Sequence, residues 1–318
     1  MPLEVKNLTM HYEVDGGGYV KAVDGVSFSL SEGESLGIVG ESGCGKSSLA
    51  TTLVRVLPSN AKIKAGEVVL DGVNILSLPE ERLRREIRWK KISVVFQGSM
   101  NALNPVLKVG DQIAEAILLH EDVSKDQAMA RIRKLLGLVG LDPSVANRYP
   151  FELSGGQRQR ALIAMALALN PKVVIADEPT TALDVIVQAQ ILKLLGELRE
   201  SSKSMMIFIS HDVSAVAQVS DKVAVMYAGK IVEIGPAEKV LLEPLHPYTS
   251  ALLQSVPSVK GERRQLKPIP GSPPNLLNPP RGCRFHPRCP FATDKCRSEE
   301  PQLREVSPGH FVACHLYG

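Results

Sequence analysis

The chain reads as an α/β protein with a mostly parallel sheet covered by helices, followed by a small irregular region. Three observations carry this. Up to about residue 235, short apolar runs suited to strands alternate with helical stretches. A glycine-rich loop joins one of those strands directly to a helix. Beyond residue 236 the composition shifts: 13 of the 22 prolines fall between Pro244 and Pro308, and four of the five cysteines stand between positions 283 and 314, which marks an extended, turn-rich second region.

The strand candidates, in order, are Ser35 to Val39, Ile92 to Phe96, Val173 to Ala176, Met205 to Ile209 and Val223 to Tyr227. The last meets Lys230 to Ile234 across Ala228-Gly229, a two-residue separation suited to a hairpin. Helical candidates are Lys46 to Val56, Lys125 to Gly140, Gln157 to Leu169 and Val185 to Ser201. The stretch from Asn101 to Leu153 holds no convincing strand and reads as a helical insertion. The basic run Glu80 to Lys91 has acids interleaved, so it reads as a solvated helix or turn rather than a nucleic-acid patch. The leucine-rich face from Ile186 to Leu198 reads as core packing.

Length and charge bound the function. With 318 residues the chain has room for about two domains. Lys plus Arg total 37 against 34 Asp plus Glu, a formal charge of +3, so nucleic-acid binding is neither required nor excluded. The longest apolar candidate, Ala161 to Leu169, is cut by Asn170-Pro171 and falls short of the ~18 to 20 residues of a membrane span. The opening MPLEVKNLTMHYEV scatters charge through every few residues and shows no secretory signal. The chain reads as cytosolic.

Four strings carry chemistry. Gly40-Glu41-Ser42-Gly43-Cys44-Gly45-Lys46-Ser47 fits GxxxxGK[ST] between a strand and a helix. Glycines let successive backbone N–H groups turn in around a phosphate and the helix N-terminus adds positive potential, while Lys46 reaches the β and γ phosphates and Ser47 ligates Mg²⁺. Val173 to Glu178 is an apolar strand ending in two carboxylates: Asp177 reads as a Mg²⁺ partner and Glu178 as the base that deprotonates water. Leu153-Ser154-Gly155-Gly156-Gln157 precedes a long helix. Ser154 is a natural N-cap there, and a helix start with bare N–H groups also suits a terminal phosphate. Ser210-His211-Asp212 follows the apolar strand Met205 to Ile209.

Glycine loop, LSGGQ, VVIADE and Ser210-His211-Asp212, in this order and with Gln97 ending the strand ISVVFQ, resemble the nucleotide-binding subunit of ABC transporters over residues 1 to about 235. The resemblance implies a P-loop ABC-type ATPase with a mixed sheet core and an antiparallel β part. Its expected domains are a RecA-like ATP-binding core of residues 1–97 and 154–235, a helical subdomain of residues 98–153 and an extension of residues 236–318. It implies that ATP is held by Gly40, Ser42, Gly43, Cys44, Gly45, Lys46, Ser47 and Ser48. It makes Gln97 a Mg²⁺ contact, Asp184 in TALDV the D-loop aspartate and His211 the switch histidine on the γ phosphate. Tyr12 matches the aromatic that stacks on adenine, with Tyr19 a rival across Gly16-Gly17-Gly18. Catalysis then falls to Glu178, His211, Gln97 and Lys46. One chain carries one phosphate loop and one signature, so the family pattern places Ser154, Gly155, Gly156 and Gln157 of a partner cassette over the nucleotide.

Leu245-His246-Pro247-Tyr248-Thr249, then Ser250 to Leu253 and Val256-Pro257, resemble the extension of ATP-binding subunits of oligopeptide and dipeptide importers. The cysteines stand as Cys283-x5-Cys289-x6-Cys296-x17-Cys314 in a segment with too few apolar residues for its own core, so a metal centre is expected to supply the cross-links. Disulfides suit a cytosolic chain poorly. A [4Fe-4S] cluster, favoured by the resemblance, competes with zinc, for which His286, His310 and His315 are substitute ligands. Cys44 reads as a small neutral side chain.

The expected function is the ATP-hydrolysing subunit of an oligopeptide or dipeptide importer, working with a second ATP-binding subunit (a copy or a paralogue), two transmembrane permeases and, indirectly, an extracytoplasmic binding protein, on the cytoplasmic face of the membrane. Nickel, glutathione or oligosaccharide cargo are alternatives. A soluble nucleic-acid- or ribosome-associated ATPase of the same superfamily fits less well: only residues 98 to 152 separate Gln97 from the signature, too few for its long coiled coil, and no nucleic-acid partner is expected.

Overall fold

A computed structural model describes residues 2–98, 102–255 and 268–318. They form two compact units, one of residues 1–30, 35–76 and 210–318, the other of residues 31–34 and 77–209.

In the first unit, β1 (Leu3–Glu13) pairs antiparallel with β2 (Tyr19–Leu30). β3 (Ser35–Val39) leads into helix α1 (Lys46–Leu53), and β4 (Ala61–Leu70) with the short β5 (Val73–Asn74) completes an antiparallel sheet in the order β2-β1-β4-β5. This sheet is the antiparallel part that the family resemblance implies, yet none of its strands is among the strand candidates read from local pattern. Its apolar alternation slips: Leu3 and Val5 are buried, and so are Leu8 and Met10, one position out of phase. Asn7 stands between them with φ 47, and the pairing register shifts there. A bulge of that kind breaks the period-2 signal.

The second unit opens with α2 (Glu80–Arg82), which runs into a single π turn over Leu83–Ile87. Its charges face water and pair with each other, Arg82 with Glu86 at 2.9 Å and Arg85 with Glu81 at 3.7 Å, as expected of a solvated helix. β6 (Ile92–Val95) follows, then α3 (Val109–Leu118), α4 (Lys125–Leu138) and α5 (Gly155–Ala166), with no strand among the described residues from 102 to 153. β7 (Val173–Asp177), α6 (Val185–Ser202) and β8 (Met205–Ile209) complete it. β8, β7 and β6 lie side by side, parallel, and every residue of β7 and β8 is buried, which is why they read as unbroken apolar runs. The apolar face of α6 is core at Ile191, Leu192, Leu194, Leu195 and Leu198, but Ile186 is 72% exposed, so the expected packing face is shorter at its N-terminal end.

Back in the first unit, α7 (Val213–Val219) precedes β9 (Lys222–Tyr227) and β10 (Lys230–Pro236). These two form the expected hairpin, with Ala228 (φ 48) and Gly229 (φ 85) both left-handed, as a primed two-residue turn demands. After α8 (Ala237–Leu242) and α9 (Pro247–Gln254), the described extension resumes with α10 (Asp294–Ser298), β11 (Arg304–Ser307) and β12 (His310–Val312). Val256-Pro257 lie outside the described residues. β3, β9, β10, β12 and β11 are neighbours in that order, β3 and β9 parallel and the rest antiparallel.

A buried carboxylate roots this extension. Glu233 on β10 is fully buried and accepts from the backbone N–H groups of Leu245 and His246, each at 2.8 Å, while His310 Nε2 stands 2.8 Å from it. His246 caps α9, its Nδ1 accepting from the Tyr248 N–H at 3.0 Å. Burial pushes the His246 imidazole down to about 3, so it stays neutral in the fold while the unfolded chain protonates near 6.5. The folded value is depressed, so the stability it contributes is present above pH 6.5 and is lost as pH falls toward 3. Between pH 7 and 5 that loss is about 2 kcal/mol. Urea unfolding at the two pH values measures it. The loss should be smaller by that amount in His246→Asn, whose amide oxygen also caps a helix; equal losses in both proteins contradict the assignment.

Candidate functional site

The phosphate loop lies between β3 and α1. β3 is buried along its length. Gly45 has φ 106, and a Cβ there would sit 1.9 Å from the Ala22 carbonyl oxygen; at Gly40 (φ 155) it would sit 2.2 Å from the Met226 carbonyl oxygen. Only glycine lets the loop pass so close to β2 and β9. Ser42 and Gly43 form its exposed tip. Lys46 is 5% exposed, and its Nζ arches back to donate to the Gly40 and Glu41 carbonyls at 2.7 and 3.1 Å. Ser47 and Ser48 are half-buried on the first turn of α1. The Tyr12 hydroxyl donates to Ser48 Oγ at 3.1 Å, whereas the Tyr19 ring lies beneath Lys64 Nζ at 3.9 Å. Cys44 is buried, and burial pushes its thiol up, which keeps it a neutral filler. His211 is exposed on the turn before α7. Ser210 Oγ accepts from the Asp212 N–H at 3.0 Å, and Asp212 caps α7 by accepting from Ser214 N–H at 2.8 Å.

The second unit holds the carboxylates. Asp177 ends β7 and is 2% exposed. Glu178 follows with φ 47, a left-handed backbone that costs of order 1–3 kcal/mol in a non-glycine residue and recurs at functional positions. Its N–H donates to the Ile209 carbonyl at 2.8 Å. Its Oε2 accepts from Gln97 Nε2 at 3.0 Å and from Thr181 Oγ1 at 2.9 Å. The fold thus joins Gln97 and Glu178 across 81 positions. Thr181 was not singled out by the sequence, because a threonine in a Pro-Thr-Thr run gives no signal. Ser154 caps α5 in a capping box: its Oγ accepts from Gln157 N–H at 3.3 Å and its own N–H donates to Gln157 Oε1 at 3.0 Å. Gly155 opens the helix, and a Cβ on Gly156 would lie 2.7 Å from Val187 Cγ1, so the signature packs tightly on the start of α6. Asp184 caps α6, accepting from Val187 N–H at 2.9 Å, and the next two residues, Val185 and Ile186, are exposed.

In the extension, none of Cys283, Cys289, Cys296 and Cys314 is bridged. They lie close enough to feel one another's charge, and the N–H groups of Phe285, Phe291 and Leu316 donate to the sulfurs of Cys283, Cys289 and Cys314. Burial is the largest influence, raising all three thiols and pushing Cys283 up to about 11. Among the described residues no group of three or more His, Cys, Asp or Glu side chains is arranged to hold a metal ion. The [4Fe-4S] cluster expected from the sequence, and the zinc alternative, therefore lack support, and the metal-stabilised extension is not what the structure displays. The proposed substitute ligands are engaged elsewhere: His310 with Glu233, His286 Nδ1 2.9 Å from the Cys283 carbonyl, His315 Nε2 2.9 Å from the Glu299 carbonyl. Cross-strand pairing and buried polar contacts tie the extension down instead.

Fold and loop together define a nucleotide-binding cassette, and the sequence profile of the ABC transporter family matches residues 23–181. The chain belongs to that family. A second profile, the C-terminal region of oligopeptide/dipeptide transporters, matches residues 232–296. The oligopeptide transport ATP-binding protein AppF of Bacillus subtilis (strain 168) is 47% identical over 327 residues, covering 99% of this chain and 97% of that one. The oligopeptide transport ATP-binding protein OppD of Escherichia coli (strain K12) is 47% identical over 315 residues, covering 98% and 92%. Among solved structures, the dimeric post-hydrolysis state of the ATP-binding cassette MJ0796, bound to ADP and phosphate, is similar with a TM-score of 0.66 at 30% identity, covering 74% of this chain and 98% of that one.

Proposed function

We propose that this chain is the ATP-hydrolysing subunit of an oligopeptide or dipeptide importer, and the observation that carries it is the pairing of the phosphate loop with the oligopeptide/dipeptide transporter C-terminal region in one chain. Full-length relatives named for peptide transport support the cargo, and nothing favours nickel, glutathione or oligosaccharides. The same reading brings transmembrane permeases on other chains and a peripheral place on the cytoplasmic face of the membrane, as expected of ATP-binding subunits of importers; no helix of the described residues is long and apolar enough to cross a membrane.

The loop's crowded glycines and buried Lys46 fit a nucleoside triphosphate, and the carboxylate at the end of β7 fits Mg²⁺. In this reading Gly40, Ser42, Gly43, Cys44 and Gly45 wrap the phosphates, Lys46 neutralises the β and γ oxygens, and Ser48 borders the site. Ser47, Gln97 and Asp177 would hold Mg²⁺, and the ion, when bound, would supply positive charge beside the transferred phosphoryl group. Glu178 takes the proton of the attacking water, oriented by Gln97 and Thr181, and His211 donates to the γ phosphate. Ser154, Gly155, Gly156 and Gln157 act on nucleotide held by a second cassette, near Asp184. The exposed Val185 and Ile186 beside Asp184 and the dimeric state of the MJ0796 cassette support that pairing. Whether the second cassette is a copy or a paralogue leaves this chemistry unchanged. Of the two tyrosines, Tyr12 is tied to α1 and is assigned to adenine. Stacking is worth about 1–3 kcal/mol per base, so Tyr12→Ala should weaken MgATP binding about tenfold with kcat little changed, and Tyr19→Ala should not; a titration of both variants decides between them. The four-cysteine metal centre forms no part of this reading.

Uptake tests the cargo. Deleting the gene from its host should abolish accumulation of a labelled tripeptide, and restoring it should bring uptake back. Unchanged peptide uptake with loss of nickel or glutathione uptake would reverse the assignment.

A further inference from the structure

The extension reaches the phosphate loop itself. Arg288 stands beside Cys289 and is buried, 8% exposed. Its guanidinium forms a two-pronged pair with the Glu41 carboxylate, NH1 to Oε2 at 2.6 Å and NH2 to Oε1 at 3.0 Å. The fork is itself held: Nε donates to the Pro270 carbonyl at 2.6 Å and NH1 to the Tyr227 hydroxyl at 3.3 Å. On the backbone of the same residue, the Glu41 N–H donates to the Tyr248 hydroxyl at 2.8 Å. Tyr248 is fully buried, its ring packed on Tyr227 and Phe285 with centroids 4.5 and 5.4 Å away. Both the side chain and the N–H of the second residue of the loop are therefore gripped by residues that lie 207 and 247 positions later.

Glu41 is an awkward residue for a loop that takes a polyphosphate. An unpaired carboxylate there repels the ligand's negative charge, and the repulsion is strong where water is scarce. A planar fork fixed by its own hydrogen bonds cancels that charge and holds its direction in a way that an ammonium group does not. The Tyr248 hydroxyl fixes the peptide at the point where the loop leaves Gly40, whose carbonyl accepts from Lys46. Fixing the loop in advance removes an ordering cost from nucleotide binding.

We infer that Arg288 and Tyr248 are positioning residues for the ATPase: through Glu41 they neutralise and pre-set the phosphate loop, so that nucleotide affinity depends on the extension. This goes beyond the proposed function and rests on its reading of Gly40 to Ser47 as the phosphate site.

The test is MgATP affinity of the full chain by calorimetric titration, with kcat and KM measured in the assembled transporter. Arg288→Ala should raise Kd and KM about tenfold with kcat within about twofold of wild type, the signature of lost uniform binding. Tyr248→Phe, which removes one hydroxyl and keeps the ring, should raise them about threefold. Arg288→Lys should recover only part of the loss, because it lacks the fork. The deciding variant is E41Q/R288A. Where Arg288 acts by cancelling Glu41, removing the carboxylate brings KM back to within about threefold of wild type; a merely structural arginine gives no such rescue. R288K and Y248F, which keep side-chain bulk, carry the test where R288A proves unstable. Wild-type affinity in both, or a double variant as weak as R288A, overturns the inference. A wild-type chain that takes up no MgATP overturns the reading of the loop as well, so the two failures are distinguishable.

Discussion

Glu178→Gln should reduce ATP turnover by about 10³-fold or more while leaving MgATP bound and the dimer closed. The expectation follows from what the substitution keeps. An amide oxygen still accepts from Thr181 Oγ1 and Gln97 Nε2, both of which donate to Glu178 Oε2, and glutamine has no β-branch to oppose the φ of 47. The side chain therefore stays in place and loses only its basicity. Positioned proton transfer contributes about 10²–10⁴-fold, and the attacking water has no other carboxylate assigned to it. Single-turnover hydrolysis of radiolabelled ATP gives the rate, and light scattering after gel filtration gives the state of association. A rate within tenfold of wild type means that the base lies elsewhere.

His211→Ala should lower kcat about 10²-fold and change Kd for MgATP by less than about threefold, the range seen when one donor to a transition-state charge is removed. Ser210 and the Asp212 cap make hydrogen bonds in the turn carrying His211, and His211→Ala keeps both. A melting temperature within a few degrees of wild type separates this loss from unfolding. An equal loss in Kd and kcat would place His211 in ground-state binding instead.

How much of this was legible in the sequence depends on distance along the chain. β7 and β8 are buried on both faces and therefore read as continuous apolar runs, and the loop, signature and carboxylates announce themselves by fixed local spacing. β1, β2 and β4 were legible only through the family resemblance, because the bulge at Asn7 shifts the apolar phase by one residue. The matched motifs singled out Gln97 and Glu178 separately, but neither their hydrogen bond nor that of Thr181 to the same carboxylate was legible. The cysteine spacing foretold that the four thiols would gather, without foretelling that burial would keep three of them raised and no metal-holding group would form. Least legible of all was the reach of Arg288 to Glu41, a polar contact across 247 positions from a proline-rich segment with no periodicity.

A structure of the Glu178→Gln protein with MgATP and its partner cassette tests the central claim most directly. It should show each triphosphate enclosed on one side by Gly40 to Ser47 of one subunit and on the other by the signature serine and glycines of its neighbour. A nucleotide wholly wrapped by a single subunit, with residues 153 to 157 of the other remote from its γ phosphoryl group, would contradict it.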